Sequence, residues 1–157
     1  MATANPAVGM SPPATRTKQL ARVRWVLVAV YAWSAGGKIF WPDALRGILQ
    51  NTGMIPREYL SPLVYGLPAA ELVLAVALAI RLLLPLALLL STFLATAFAG
   101  IHGFLLISGD MVPCGCCGVA IDYSGTAWHA VLFGVSVAMV LTSAVLLFTL
   151  PARQRGG

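Results

Sequence analysis

The feature that most constrains the fold is a long apolar run from Leu72 to Ser108, in which Arg81 is the only Asp, Glu, Lys or Arg residue. A bilayer core of about 30 Å is crossed by roughly 20 residues of helix. The run is about twice the length that one crossing needs, so the chain must fold back near Arg81. The sequence therefore predicts a membrane hairpin, with Pro85 in the first turn of its second helix, where a missing N–H costs no hydrogen bond.

The composition and charge distribution agree with a membrane protein. Hydrophobic residues make up 59% of the chain and charged residues 10%, whereas soluble domains carry about a quarter charged residues. The net charge is +5, but Lys and Arg lie at the chain ends and between apolar runs, which argues against nucleic-acid binding. We predict an all-α integral membrane four-helix bundle. Its predicted spans are about 23–40, 61–80, 85–107 and 127–150.

The positions of Lys and Arg also predict the orientation. With four crossings, the N-terminal flank, the turn at Arg81 and the C-terminal tail lie on one side, and all three are basic. Cytoplasmic loops carry an excess of Lys and Arg, so this side is expected to be cytoplasmic. We predict a disordered cytoplasmic tail over 1–21, a transmembrane domain over 22–151 and a cytoplasmic tail over 152–157. Both chain termini are then expected in the cytoplasm.

All three cysteines, Cys114, Cys116 and Cys117, lie in the loop between the third and fourth predicted spans. That loop is expected on the extracytoplasmic side, where disulfides persist. Either Cys114–Cys116 or Cys114–Cys117 is possible on spacing. A bridge of this kind constrains the unfolded chain little, but a strained and exposed disulfide is readily attacked by a thiolate. The cluster favours redox exchange; unreactive structural thiols and a metal site, which usually needs two separated pairs, are the alternatives.

Three ionisable residues, Lys38, Glu71 and His102, interrupt the predicted spans. Such residues are costly in lipid and usually face the bundle interior and pair. Lys38 and Glu71 differ in expected depth by on the order of 10 Å, which a lysine side chain can largely cover. Pairing with Glu71 and extension of Lys38 to the headgroups are both open. His102 and His129 approach the side of the cysteines, where an imidazole can either assist thiol deprotonation or simply pack.

Several of these motifs together resemble a known family. The segments are Lys38-Ile39-Phe40 with Pro42, Leu67-Pro68-Ala69-Ala70-Glu71, and Cys114-Gly115-Cys116-Cys117-Gly118. They resemble the MauE family of methylamine-utilisation membrane proteins, within the wider DoxX-like group, over roughly residues 25 to 150.

The resemblance implies a role in the maturation of an exported protein such as the small subunit of methylamine dehydrogenase. It implies a thioredoxin-like extracytoplasmic partner and a redox pair formed by Cys114 and Cys116. The family typically has an aromatic residue at the place of Cys117, so this chain has an additional thiol that can resolve a mixed disulfide or change the pairing. A membrane quinone is the candidate electron acceptor, and we expect no metal.

Two other functional classes remain open. Some DoxX-like proteins are associated with respiratory quinol oxidases, so the chain can be a non-catalytic subunit in which the cysteines are dispensable. A small transporter lined by Lys38 and Glu71 is a further alternative, but no inverted repeat supports it. Quinone-linked disulfide oxidases use two separate cysteine pairs, whereas this chain has one cluster. Whether the chain is itself an enzyme is therefore left open.

Overall fold

The computed structural model describes residues 14–51, 53, 55–109 and 126–149. These residues form α-helices and no strand, which confirms the all-α prediction for this part of the chain. The helices are α1 (Ala14–Phe40), α2 (Pro42–Asn51), α3 (Arg57–Ile80), α4 (Leu84–Ser108) and α5 (Thr126–Thr149). The predicted tail over 152–157 lies outside the described residues.

Within the described ranges, three helices are long and apolar enough to cross a membrane. They are Arg57–Ile80, Leu84–Ser108 and Ala127–Thr149, and they match three of the predicted spans. α1 is not among them, because its apolar part includes Arg24 and Lys38. Both of these side chains are buried against other helices. The four-helix transmembrane bundle with both termini inside therefore stays a prediction.

The N-terminal boundary differs from the expectation. α1 begins at Ala14, so the prediction of a disordered tail over 1–21 is wrong for residues 14–21. This stretch is rich in Ala, Arg, Lys, Gln and Leu, which are good helix formers. It continues the helix beyond the apolar part of α1, so polarity at the N-terminal flank marks the end of the apolar face rather than the end of the helix.

The predicted hairpin at Arg81 is present between α3 and α4. Arg81 ends α3 in the left-handed region, with φ 60°, and its backbone N–H donates to the carbonyl of Ala77. Leu83 also has a positive φ, 44°, which is uncommon for a residue with a side chain. Pro85 lies in the first turn of α4, as expected. The turn therefore reverses the chain within three residues, between Ile80 and Leu84.

The long helices associate as two antiparallel pairs. α1 packs along α3, and α4 packs along α5, while α1 and α5 make few contacts. The two pairs meet in a core of buried apolar residues from all four helices. This core consists of Leu27, Tyr31, Leu74, Ala75, Leu78, Ala87, Leu88 and Leu146. Since α1 and α5 are weakly packed, a cleft remains between them on one side of the bundle.

The short helix α2 explains how α1 is connected to α3. It begins at Pro42, and its apolar residues Leu45 and Leu49 are buried. They pack against Leu60 and Val64 in the first turns of α3. α2 therefore lies beside the N-terminal end of α3. The C-terminal end of α1 lies further along α3, because Lys38 pairs with Glu71 there.

At the opposite end of the bundle, Arg24 of α1 forms hydrogen bonds with the C-terminal end of α3. Its Nη1 donates hydrogen bonds to the carbonyl oxygens of Leu78 at 2.9 Å and Ala79 at 3.3 Å. Carbonyls in the last turn of a helix lack intrahelical partners, and a cation there is favoured by the helix dipole. The Arg24 guanidinium therefore joins α1 to the C-terminal end of α3 inside an apolar bundle.

Replacing Arg24 with methionine is expected to lower the free energy of unfolding by about 1.5–3 kcal/mol, the usual value for hydrogen bonds to a charged group. Denaturant titration of the purified protein in detergent measures this difference. Arg22→Met is the matched control, because Arg22 is exposed on the same helix. Equal stability of the two variants would contradict a structural role for Arg24.

Candidate functional site

The centre of the described structure contains a buried ion pair between α1 and α3. Lys38 Nζ lies 2.6 Å from Glu71 Oε1, and both side chains are inaccessible to solvent. The question that the sequence left open is thereby answered, since Lys38 pairs with Glu71 rather than extending to the headgroups. The pair joins two helices, and both charges are buried where neither would be stable without the other.

Ser34 and Phe98 complete the surroundings of this ion pair. Lys38 Nζ donates to Ser34 Oγ, which in turn donates to Glu71 Oε1 at 3.2 Å. The ammonium also lies 4.8 Å from the centre of the Phe98 ring, a cation–π distance. The second carboxylate oxygen of Glu71 has no hydrogen-bond partner among the described residues. The lysine therefore connects α1, α3 and α4.

A pair of buried histidines joins α4 to α5 at the end where the chain leaves α4. The Nδ1 atoms of His102 and His129 are 3.4 Å apart, and the two rings are tilted by 37° with centroids 5.7 Å apart. At this distance one imidazole donates and the other accepts, depending on the tautomers. The structure thus shows a contact between two histidines that the sequence analysis did not predict.

A third polar group was missed by the sequence reasoning. Tyr31 Oη on α1 is 3.0 Å from Ser91 Oγ on α4, and Ser91 Oγ is 2.7 Å from Ser143 Oγ on α5. All three side chains are buried. Hydroxyl residues in apolar helices are a weak signal, because many of them bond only to the preceding turn of their own helix, as Thr92 does here.

The cleft between α1 and α5 contains a cavity of about 430 Å³. Its wall is mostly apolar and is formed by residues of α1, α4 and α5. Its lining also includes the polar residues Lys38 and His102 and the aromatic residues Trp33 and Trp128. Trp33 is 69% exposed and Val131 51% exposed, so the cavity opens on the outer surface of the bundle, toward lipid if the helices span a membrane.

The cysteine cluster, Cys114, Cys116 and Cys117, lies outside the described residues. The segment 110–125 that carries it joins the end of α4 to the start of α5. His129 is in the first turn of α5, and His102 is about two turns before the end of α4. The redox roles of the cysteines and the thiol-assisting role of His129 therefore stay predictions.

The comparisons with known proteins give one match. A family model described as methylamine utilisation protein MauE matches residues 16–150. This range includes all the described residues except Ala14 and Thr15. No curated protein and no solved structure matches the chain. The ion pair, the histidine pair and the cysteine segment all lie within the matched range, and the chain belongs to the MauE family of methylamine-utilisation membrane proteins.

Proposed function

We propose that this MauE-family protein performs thiol–disulfide exchange on the extracytoplasmic side of the bacterial cytoplasmic membrane. Its partner is a thioredoxin-like protein, and the exchange assists the maturation of an exported protein such as the small subunit of methylamine dehydrogenase. In this proposal α1 also crosses the membrane, which gives four crossings in total. Both termini are then cytoplasmic. Membership of a methylamine-utilisation family supports the pathway, and the cysteine cluster supports the chemistry.

The observation that carries the proposal is the buried pair of His102 and His129. These histidines lie near the two helix ends that the cysteine segment joins. Cys114 is five residues beyond Gly109, so it is at most about 18 Å of extended chain from the end of α4. An imidazole close to a thiol can accept its proton and so increase the fraction of reactive thiolate. Two histidines in contact can also pass that proton onward.

The exchange involves only the sulfur atoms of Cys114 and Cys116 and the two thiols of the partner. A thiolate of the partner attacks one sulfur of the Cys114–Cys116 disulfide, which forms a mixed disulfide and releases the other cysteine as a thiolate. The partner's second thiolate then attacks the mixed disulfide. The partner leaves with its own disulfide, and this chain keeps two thiols. An acceptor of two electrons and two protons must then restore the disulfide.

In this mechanism the helices anchor the ends of the cysteine segment and take no part in the disulfide exchange. The Lys38–Glu71 pair fixes α1 against α3. The hydroxyls of Tyr31, Ser91 and Ser143 join α1 to α4 and α5. With these helices fixed, the ends of α4 and α5, which the cysteine segment joins, stay at a constant separation.

Trapping of mixed disulfides tests the proposal in cells that express the full chain. Cys114→Ala and Cys116→Ala each leave an unpaired thiol, and one of them is expected to retain a thioredoxin-like protein in a reductant-sensitive complex. Mass spectrometry of the complex separated without reductant identifies the partner. Cys117→Ala is the matched control and is expected to trap nothing if Cys114 pairs with Cys116. No complex with any single variant, together with unchanged oxidation of exported proteins, would contradict the proposal.

A second candidate function is a non-catalytic subunit of a respiratory quinol oxidase. The cavity between α1 and α5 favours it, because a quinol-contacting subunit needs an apolar site open to lipid. The two functions differ in their need for sulfur. A variant with Cys114, Cys116 and Cys117 all replaced by alanine is expected to lose thiol exchange, but it would support respiration normally if the second function were correct.

A further inference from the structure

We propose that the N-terminal part of α1 and the cavity between α1, α4 and α5 together bind an anionic phospholipid. Its phosphate lies against Lys18 and Arg22, and one of its acyl chains lies in the cavity. The inference rests on the part of the proposed function in which α1 crosses the membrane, and it does not depend on thiol–disulfide exchange.

The lining of the cavity indicates the part of the ligand that it holds. Tyr31, Lys38 and His102 line the cavity and are buried, but their polar atoms bond to side chains of α4, α3 and α5 respectively. These polar atoms are thus engaged inside the protein, and the remaining wall is mostly apolar. A hydrocarbon chain matches such a wall, because burying a polar group without a hydrogen bond is costly.

The cavity continues along the surface of α1 toward the N-terminal end of that helix. Ala29 lines the cavity and is exposed. Val26, which precedes it by one turn, is 61% exposed. The described helices therefore leave this strip of α1 uncovered. An acyl chain in the cavity can follow the strip to the helix end without passing between packed helices.

Two cations lie on the same face of α1, at the end of this strip. Arg22 precedes the cavity residue Ala29 by seven residues and follows Lys18 by four. Spacings of four and seven residues place side chains on one face of a helix. Both cations are exposed, and Arg22 is roughly 10 Å from Ala29 along the helix axis at 1.5 Å per residue. The strip thus joins an apolar cavity to a pair of positive charges.

The charges of Lys18 and Arg22 are not compensated by the described residues. Neither side chain has a hydrogen bond or an ion pair with another described residue. Among the described acidic residues, Asp43 and Glu58 lie at the opposite end of the bundle, and Glu71 is used in the buried ion pair. Both cations can therefore bind an external anion, and replacing them is expected to leave the stability of the lipid-free protein unchanged.

Trp25 indicates that the two cations lie at the level of the lipid headgroups. It is 54% exposed and follows Arg22 by less than one turn, and tryptophan is enriched at the membrane–water interface. Each Lys or Arg near an anionic membrane surface strengthens binding by about fivefold. An anion at the surface joined to hydrocarbon below it describes an anionic phospholipid. A zwitterionic lipid brings its own cation to this place, and free phosphate has no hydrocarbon for the cavity.

Native mass spectrometry of the purified full-length protein in detergent tests the contact with the headgroup. The unchanged protein is expected to bind dioleoyl-phosphatidylglycerol about tenfold or more tightly than dioleoyl-phosphatidylcholine. Lys18→Gln/Arg22→Gln is expected to bind the two lipids within about threefold of each other. Arg46→Gln/Arg57→Gln removes the same charge from the opposite end of the bundle and is expected to keep the preference. No preference in the unchanged protein, or a full preference without Lys18 and Arg22, would overturn the proposal.

Quenching by phospholipids with brominated acyl chains tests the position of the chain. Trp25→Phe/Trp41→Phe retains Trp33 and Trp128, which both line the cavity. In phosphatidylcholine nanodiscs, a small fraction of brominated phosphatidylglycerol is expected to quench this variant more than the same fraction of brominated phosphatidylcholine. The reason is that bound lipid places its bromine atoms beside the two tryptophans. Equal quenching by the two lipids would contradict an acyl chain in the cavity.

A matched pair of substitutions on α1 tests the same point without a probe. Ala29 lines the cavity and Ala32 does not, and both are exposed on the same helix. Ala29→Phe fills part of the cavity and is expected to weaken phosphatidylglycerol binding by about tenfold, while Ala32→Phe stays within about twofold. Val135→Phe narrows the cavity from α5 and repeats the test if Ala29→Phe folds poorly. Unchanged binding in Ala29→Phe and Val135→Phe would overturn the assignment.

The lipid site and thiol exchange can fail independently of each other. If phosphatidylglycerol is not preferred while Cys114→Ala or Cys116→Ala still traps a partner, the lipid site is wrong and thiol exchange stands. If phosphatidylglycerol is preferred and no single cysteine variant traps a partner, thiol exchange is wrong and the lipid site stands.

Discussion

Lys38→Met is expected to destabilise the folded protein by about 3–5 kcal/mol, the usual effect of removing one partner of a buried ion pair. The substitution leaves Glu71 fully buried with only the Ser34 hydroxyl as a donor. Neutral side-chain hydrogen bonds between membrane helices average about 0.6 kcal/mol. The larger expected effect therefore comes from the uncompensated charge, not from the lost hydrogen bond.

The double variant Lys38→Met/Glu71→Met distinguishes these two contributions. Replacing a whole buried pair with apolar residues of similar volume is often neutral or stabilising, so the double variant is expected to recover most of the lost stability. Denaturant titration in detergent, followed by circular dichroism, measures all three proteins. Lys18→Met, at an exposed position of α1, is the control. A double variant as unstable as Lys38→Met would show that the pair is not the origin of the effect.

Labelling with a membrane-impermeant maleimide is expected to give an all-or-none difference between the two ends of α4. In a background with every native cysteine replaced by alanine, Ser108→Cys is expected to react in intact spheroplasts. Arg81→Cys is expected to react only after detergent opens the membrane. Both positions are exposed at opposite ends of the helix, which makes them a matched pair. The expectation follows from the positive-inside distribution of Lys and Arg.

The two other labelling patterns would each contradict the proposed topology. Reaction of Arg81→Cys alone in spheroplasts would invert the proposed orientation and move the cysteine segment to the cytoplasm. Reaction of both variants on the same side would mean that α4 does not cross the membrane. The cysteine-free parent supplies the blank, and equal labelling of both variants in detergent shows that each thiol is accessible.

Hydropathy alone was sufficient to predict α3, α4, α5 and the turn at Arg81. These helices are apolar on nearly every side, and a charge between two apolar runs leaves few alternatives. The start of α1 was less predictable, because residues 14–21 are polar but also helix-forming. Polarity reports where the apolar surface ends, and it does not report where backbone hydrogen bonding ends.

The contacts between helices depended on information that the sequence alone lacks. The expected separation in depth between Lys38 and Glu71, on the order of 10 Å, rested on counting residues along the two predicted spans. α2 packs beside Leu60 and Val64 of α3, so α1 ends lower, and Lys38 lies level with Glu71. The contact of Ser91 with Tyr31 and Ser143 and the cavity beside α5 likewise follow from rotations of the helices about their axes, which hydropathy does not specify.

The buried lysine also has a consequence for the order of assembly. During synthesis α1 is made before its partner helix, and Lys38 meets its carboxylate only 33 residues later. In the proposed arrangement with four crossings, a lone cation in the hydrocarbon region is unfavourable, so a nascent chain that stops short of Glu71 has a poorly anchored first helix. In that arrangement we expect α1 and α3 to insert together, because Glu71 then compensates the charge of Lys38.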